Sequence, residues 1–377
     1  MKKTITTIDI TYRDTTSPVI IGRGILSSFG KELKKRFHGN TVVLISDLTV
    51  EKIYGKTLLD SLDTENFKVH ELKLDITNNG KNLSTVEKIY SFFNEIELNG
   101  SFAVVLLGGN VLIDTAGFAA ATYFRGLKYY VVSTTLLSQT DGAIGGALGV
   151  HYKNMTNFVG VRELPELVMC DIDVFKTLPL AELRVGIAEI IKQAAVVDKK
   201  MFEWLELQNE SILNNLLELH SLTIEVIKVK SKLVETGDDR YLNFGHTIGH
   251  ALENLMKHKN IRHGEAIAIG MCGEISLSEI SNNLPIGTTK RMEKILLKFA
   301  LPIKFPNFII SEYKSKEDFC ENLYDMIWRD KKVFNDKLHW RVPVKDIGQA
   351  GDIYVTKEEI ISELLRLCED KLEGEIL

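Results

Sequence analysis

The chain of 377 residues has no CxxC pair, no low-complexity tract and no block of like charge. Its four cysteines, Cys170, Cys272, Cys320 and Cys368, are far apart, which argues against a disulfide framework or a thiolate zinc site and fits a reducing cytoplasm. No run approaches the roughly 18 apolar residues of a helical membrane span, so no membrane partner is expected. The opening MKKTITTIDITYRD alternates apolar and polar residues where a signal peptide would set a continuous apolar stretch behind its lysines, so it predicts a strand and a cytoplasmic protein. An excess of positive charge is also missing: 46 Lys and Arg stand against 51 Asp and Glu, for a net charge of −5. Short basic clusters such as KKRF lack the length of a binding arm, and nucleic acid is not an expected partner. The seven prolines are scattered, and neither a flexible linker nor an internal repeat stands out.

What the chain does have is core material: 45% hydrophobic and 26% charged residues describe an ordinary globular protein. Its length exceeds what one core usually organises, which predicts two domains. Up to about residue 172, short β-rich runs (TVVLISD, FKVHELKL, SFAVVLLGG, KYYVVSTT) alternate with helical segments, the pattern of a parallel sheet flanked by helices. From residue 173 on, long helical patterns take over: LPLAELRVGIAEIIKQAAVVD, ESILNNLLELHSLTIEVIKVKSKL, HGEAIAIGMCGEISLSEI and KRMEKILLKFA. The expectation is therefore an α/β domain over 1–172 and an all-α domain over 173–377, with small ligands expected in a cleft where they meet.

Five stretches carry residues suited to chemistry. NFGHTIGHALE, residues 243–253, sets two of only nine histidines four apart in a segment with helical apolar spacing. On a helix His246 and His250 then share a face with Asn243 beside them, while Phe244, Ile248, Ala251, Leu252 and Leu255 fall opposite. Two imidazoles so placed suit a metal ion, or a metal ion and a proton carrier; a hydrogen-bonded histidine pair is the ordinary alternative. GIAEIIK puts Glu189 and Lys192 three apart in an apolar helix, where a simple intrahelical ion pair sits less comfortably than on a surface. RHGEAIAIGM places His263 at the start of another apolar helix; with Glu189 and His246 it makes a carboxylate and two imidazoles, the ligand number of a catalytic zinc with one open position. LLGGNVLIDTAGF, residues 106–118, follows a strand with Gly108 and Gly109 and enters a helix, which favours a diphosphate or is simply a tight turn. VSTTLLSQTDGAIGGALGV, residues 132–150, gathers small residues around Asp141 and suits a ligand lying against the main chain, or a flexible loop.

In this order the blocks GGNVLIDTAGFAAATYFRG, STTLLSQTDGAIGG, TLPLAELRVGIAEIIK, LNFGHTIGHALE, HGEAIAIGM and RDKK resemble the 3-dehydroquinate synthase family of sugar phosphate cyclases, over most of the chain from about Asp47 to Lys332. The resemblance implies an N-terminal, Rossmann-like NAD-binding domain, a helical C-terminal domain that binds a divalent metal, Zn2+ or Co2+, and a homodimer. It implies Glu189, His246 and His263 as metal ligands and Lys192 beside the reacting hydroxyl, with His250 and Asn243 holding the substrate phosphate or relaying protons. Lys331 matches a phosphate-binding lysine, Arg125 an arginine donated by the neighbouring subunit, and Asn157 a site asparagine. Asp47, Lys81, Gly108, Gly109, Asp114, Thr134, Thr135, Asp141, Thr177, Leu178 and Glu182 fall on NAD-contacting positions. The implied reaction runs through transient oxidation, phosphate elimination, re-reduction and aldol closure of a phosphorylated sugar.

The chain departs from the family pattern at Ala147 and Thr156, each in place of a lysine, and at Asp239, in place of an arginine, with Arg240 one position later. Asn78 replaces a glutamate and Asn110 the third glycine of the turn. The first three losses concern groups that handle the anionic substrate, so the reading is retained metal and redox chemistry on an altered substrate. Lys153, Lys230 and Arg240 are the candidates for restoring positive charge. Two other readings remain: a metal-dependent polyol or glycerol dehydrogenase, against which the Glu189 ligand argues, and a degenerate, non-catalytic paralogue.

Overall fold

A computed structural model describes residues 5–76, 80–153, 155–329, 333–334 and 337–369. It resolves into two compact units, Met1–Leu183 with Asn215–Thr236, and Arg184–Asn214 with Gly237–Leu377. No helix among the described residues is long and apolar enough to cross a membrane.

The first unit is built on a seven-stranded sheet in the order β1-β2-β9-β6-β5-β3-β4. Its strands are β1 (Thr6–Tyr12), β2 (Thr15–Gly22), β3 (Thr41–Asp47), β4 (Lys68–Leu74), β5 (Phe102–Gly108), β6 (Tyr129–Ser133) and β9 (Leu167–Asp171), and β7 (Ala147–Tyr152) and β8 (Met155–Arg162) form a separate antiparallel hairpin. All neighbours in the large sheet are parallel except β1 and β2. Central strands β3, β5, β6 and β9 are apolar and buried along almost their whole length, because both sheet faces are covered; β1, at the edge, alternates as its sequence predicts. From β3 the chain builds outward to β4, then crosses back to place β5 on the other side of β3. Strand order reverses there, and in open parallel sheets ligands bind outside the carboxyl ends of the strands at such a reversal.

Helix Leu216–Thr236 belongs to this unit, although its position in the chain placed it in the helical half. Its buried Leu219, Leu222, Val226, Ile227 and Val234 supply an apolar stripe, and Ser231 Oγ donates to the Asp9 carbonyl of β1 at 2.9 Å. A boundary drawn at 172/173 has no room for this return of the chain.

The second unit is mainly helical, as expected, but it is not all helical. β10 (Val333–Phe334), β11 (Lys337–Val344) and β12 (Asp346–Val355) form a three-stranded antiparallel sheet. The period-two signal is there: Leu338, Trp340 and Val342 are buried at alternate positions. Pro343 within the run, at the register shift of β11, masks it.

Three helices of this unit concern the site: Leu180–Val197, most of which lies in it, His246–Leu255 and His263–Ile280. The first and third meet at backbone distance because residue 264 is glycine; a Cβ there would sit 2.6 Å from Val185 Cα. The His246 helix starts abruptly after Gly245 (φ +76°), with no side-chain cap of its own. Glu274 of the His263 helix, fully buried, supplies the acceptors instead: its carboxylate takes the N–H groups of Gly245 (2.7 Å), Thr247 (2.9 Å) and Ile248 (3.2 Å). A carboxylate at a helix N-terminus is also favoured by the helix dipole.

Glu274→Ala would leave three buried donors unmatched, each worth about 1–3 kcal/mol. We expect a loss of about 3 kcal/mol or more, measured as a lower urea midpoint, with Glu274→Gln intermediate. An unchanged midpoint for the alanine variant would show that this cap contributes nothing.

Candidate functional site

Glu189 projects from the middle of an apolar helix and is only 2% exposed, as is Lys192 one turn later. Lys192 Nζ lies against Glu189 Oε2. His263 Nε2 stands 3.4 Å from Glu189 Oε1, and His246 Nε2 3.7 Å from the same atom. Both carboxylate oxygens are buried without accepting a hydrogen bond of good geometry. Ligands about 2.0–2.1 Å from a tetrahedral zinc are roughly 3.3–3.4 Å apart, close to these separations. One ligand atom from each of Glu189, His246 and His263 falls within 4.8 Å of the others. A buried carboxylate whose Oε1 accepts no good hydrogen bond, two imidazole nitrogens and these spacings fit a divalent cation.

Each imidazole is held by its other nitrogen. His246 Nδ1 lies 3.1 Å from the Phe244 carbonyl, and His263 Nδ1 lies 3.2 Å from both oxygens of Glu253. Donation from Nδ1 reserves Nε2, the nitrogen on the Glu189 side, for an ion. Burial alone would raise the Glu189 carboxyl, but the Lys192 ammonium, followed by His263, holds it down to about 2. Burial likewise disfavours an imidazolium at His263, yet Glu253 and then Glu189 raise it to about 10.

His250 is half-buried one turn beyond His246, with ring centroids 4.8 Å apart, so the shared face expected from the sequence is present. Asn243 is not on that helix. It ends the 3-10 segment Asp238–Asn243, separated by the turn at Gly245, and its Nδ2 donates to the Arg240 carbonyl at 2.9 Å. Arg240 is exposed, its guanidinium 5.3 Å from the Tyr241 ring centroid. Lys331 and Asn78 lie outside the described residues. Glu253 and Glu274 were not picked out from the sequence. Glu253 follows His246 by seven positions and so falls on the same helical face, which is a usable signal; nothing in the sequence links Glu274 to the start of the His246 helix.

In the first unit, Asp47, Gly108 with Gly109, and Thr134 with Thr135 stand at the carboxyl ends of β3, β5 and β6. Asp47 accepts the N–H groups of Thr49 (2.8 Å) and Val50 (3.2 Å). Helix Asn110–Thr122 opens at Gly109 without a side-chain cap, and Asn110 Oδ1, Asp114 Oδ1 and Thr134 Oγ1 are buried without partners. Uncapped N–H groups beside unpaired acceptors fit a ligand bearing both phosphate and hydroxyls, such as a dinucleotide. Asn110, where a third glycine was expected, packs its amide onto Gly142, a place no side chain at 142 could share. The 132–150 stretch is not a plain loop: it holds a π-helical turn, Ser138–Gly142, and β7.

Two lysines of this unit are engaged. Lys81 is buried against Asp114, whose carboxyl is pushed above its usual range by burial in spite of the lysine, and Lys230 is bound to the Asp141 carboxylate and, at 2.5 Å, to its carbonyl. Thr177 Oγ1 meets Tyr54 Oη at 2.6 Å beyond the end of β9, with Leu178 next and Glu182 in the first turn of the following helix. Arg125 is exposed in a turn with φ +65°, and Asn157 is exposed at φ +50°. Ala147 is exposed opposite Arg162 in the hairpin, and that guanidinium lies 5.0 Å from the Tyr12 ring centroid.

Family models described as 3-dehydroquinate synthase N-terminal and C-terminal match residues 71–185 and 186–333. The 3-dehydroquinate synthase of Lactococcus lactis subsp. cremoris (strain MG1363) is 33% identical over 359 residues, covering 94% of this chain and 98% of that one. A 2-deoxy-scyllo-inosose synthase solved with carbaglucose-6-phosphate, NAD+ and Co2+ superposes with a TM-score of 0.84 at 23% identity, covering 96% of this chain and 99% of its own. The 2-epi-5-epi-valiolone synthase of Streptomyces hygroscopicus subsp. jinggangensis 5008, with NAD+ and Zn2+, gives 0.80 at 23% identity, covering 95% and 98%.

The geometry predicts about one divalent ion per chain by elemental analysis, and much less in His246→Ala. Full metal content in that variant would remove His246 from the ligand set. A raised His263 pKa means that an entering ion displaces a proton, so affinity should climb roughly tenfold per unit from about pH 6 to pH 8. A flat profile would show that His263 is already neutral in the metal-free protein.

Proposed function

The chain belongs to the 3-dehydroquinate synthase family, and on that premise we propose that it is an NAD- and divalent-metal-dependent sugar phosphate cyclase whose substrate differs from that of 3-dehydroquinate synthase. The observation that carries the metal part is the buried Glu189 carboxylate, with no good hydrogen bond and with two imidazole Nε2 atoms facing it. Two proteins of the same fold bind NAD+ with Zn2+ or Co2+. When bound, NAD supplies a reversible hydride acceptor and the cation supplies Lewis acidity at a substrate hydroxyl.

Glu189, His246 and His263 hold the cation. Lys192, fixed against Glu189, is placed to hydrogen-bond the substrate oxygen at the reacting carbon. His250, half-buried on the same face as His246, carries protons to and from the substrate. Asn243, Arg240, Asn157 and Lys331, with Arg125 from the other subunit of a homodimer, bind the anionic parts of the substrate. Asp47, Lys81, Gly108, Gly109, Asp114, Thr134, Thr135, Asp141, Thr177, Leu178 and Glu182 form the NAD contacts, with the diphosphate at the uncapped Asn110 helix. The net change is loss of phosphate with ring closure and no net oxidation.

Charge supports the altered substrate. Ala147 and Thr156 bring none, Lys230 is committed to Asp141, and Arg162 covers the Tyr12 ring. Two absent charged hydrogen bonds, at about 1.5–3 kcal/mol each, lower kcat/KM by roughly two to four orders of magnitude.

A screen of phosphorylated six- and seven-carbon sugars for phosphate release should therefore find a substrate that outperforms the acidic seven-carbon substrate of 3-dehydroquinate synthase by about that factor. Rapid release from the acidic substrate would restore the plain synthase reading. NADH should not accumulate during turnover; steady accumulation on simple polyols would indicate a dehydrogenase.

A further inference from the structure

We propose that Glu253 is a positioning residue of the metal centre, locking His263 in the tautomer that carries its proton on Nδ1 and presents Nε2 to Glu189. The inference rests on the metal-binding reading above. His246, His250 and Glu253 stand at positions i, i+4 and i+7 of one helix, so the carboxylate lies on the same face as the imidazoles. Glu253 is buried, and both of its oxygens sit 3.2 Å from His263 Nδ1, so the ring is gripped from behind at the nitrogen that does not face Glu189. The two imidazoles are thus held by unlike acceptors: a neutral carbonyl, that of Phe244, for His246, and a carboxylate for His263. A carboxylate behind the ring fixes its rotation and makes Nε2 the more strongly donating of the two nitrogens. His250, Glu253 and His263 could themselves form a three-ligand group, and ligation there through His263 Nδ1 would require the proton that this arrangement keeps.

The test uses the full-length chain. Zn2+ dissociation constants are measured by chelator competition for the wild type, Glu253→Gln and His263→Ala, with the absorption spectrum of the Co2+-loaded proteins as a second readout. Glu253→Gln should bind Zn2+ roughly 10–100-fold more weakly and shift the Co2+ bands, because the donor strength of His263 changes. A role confined to packing would leave the bands in place. Wild-type affinity and an unshifted spectrum in Glu253→Gln would overturn the proposal, while failure of the wild type to bind Zn2+ would overturn the metal reading on which it stands. Two ions per chain in the wild type, falling to one in Glu253→Gln, would make Glu253 a ligand and overturn the positioning role. If Glu253→Gln fails to fold, nitrogen NMR of the histidine-labelled, Zn2+-loaded wild type decides: a protonated Nδ1 on a metal-bound His263 is expected, and a bare or metal-bound Nδ1 overturns the assignment.

Discussion

A carboxylate removed from water must be neutralised or matched by positive charge, and Glu189 is the group on which this constraint falls hardest. It is buried in the middle of an apolar helix, where an uncompensated charge costs several kcal/mol. Lys192 supplies one balancing charge from one turn away. His263 supplies further positive charge when protonated, and its Nε2 and that of His246 converge on the same oxygen, where a bound cation would take over that role. Much of the surrounding structure serves that convergence. Gly264 lets the His263 helix touch the backbone of the Glu189 helix, and Glu274 fixes where the His246 helix begins. Each device is a backbone-level choice, which is why the cluster is preorganised.

The first unit handles buried charge differently. Its candidate ligand positions lie where parallel strands end and a helix begins, so exposed peptide N–H groups provide positive potential without a cationic side chain. Two of its cations are already neutralised, Lys81 by Asp114 and Lys230 by Asp141. These pairs hold the walls in place and leave unpaired oxygens, on Asn110, Asp114 and Thr134, for a ligand to satisfy. The unit therefore presents backbone donors and neutral or acidic acceptors, a set suited to a diphosphate flanked by hydroxyl groups more than to an anion needing lysines.

Several features were legible in the sequence because physics leaves few ways to write them. Strands covered on both faces must be apolar throughout, so β3, β5 and β6 could be read from TVVLISD, FAVVLL and YYVVS. Helical periodicity gave the shared face of His246 and His250. The C-terminal sheet stayed hidden because Pro343 interrupts an otherwise clear alternation, and helix Leu216–Thr236 reads as a helix without revealing that its stripe pairs with β1.

The sequence by itself determined the local elements, the ligand-bearing residue types and, through six ordered blocks, the family. These are short-range properties: a repeat of two or 3.6 residues, a glycine after a strand, a carboxylate inside an apolar run. Tertiary structure alone decided that Glu253 stands behind His263, that Glu274 caps a helix beginning 28 residues earlier in the chain, and that Lys230 is spent on Asp141. Such pairings depend on which backbones can approach one another, and that is set by glycines and helix crossings far from the residues that meet.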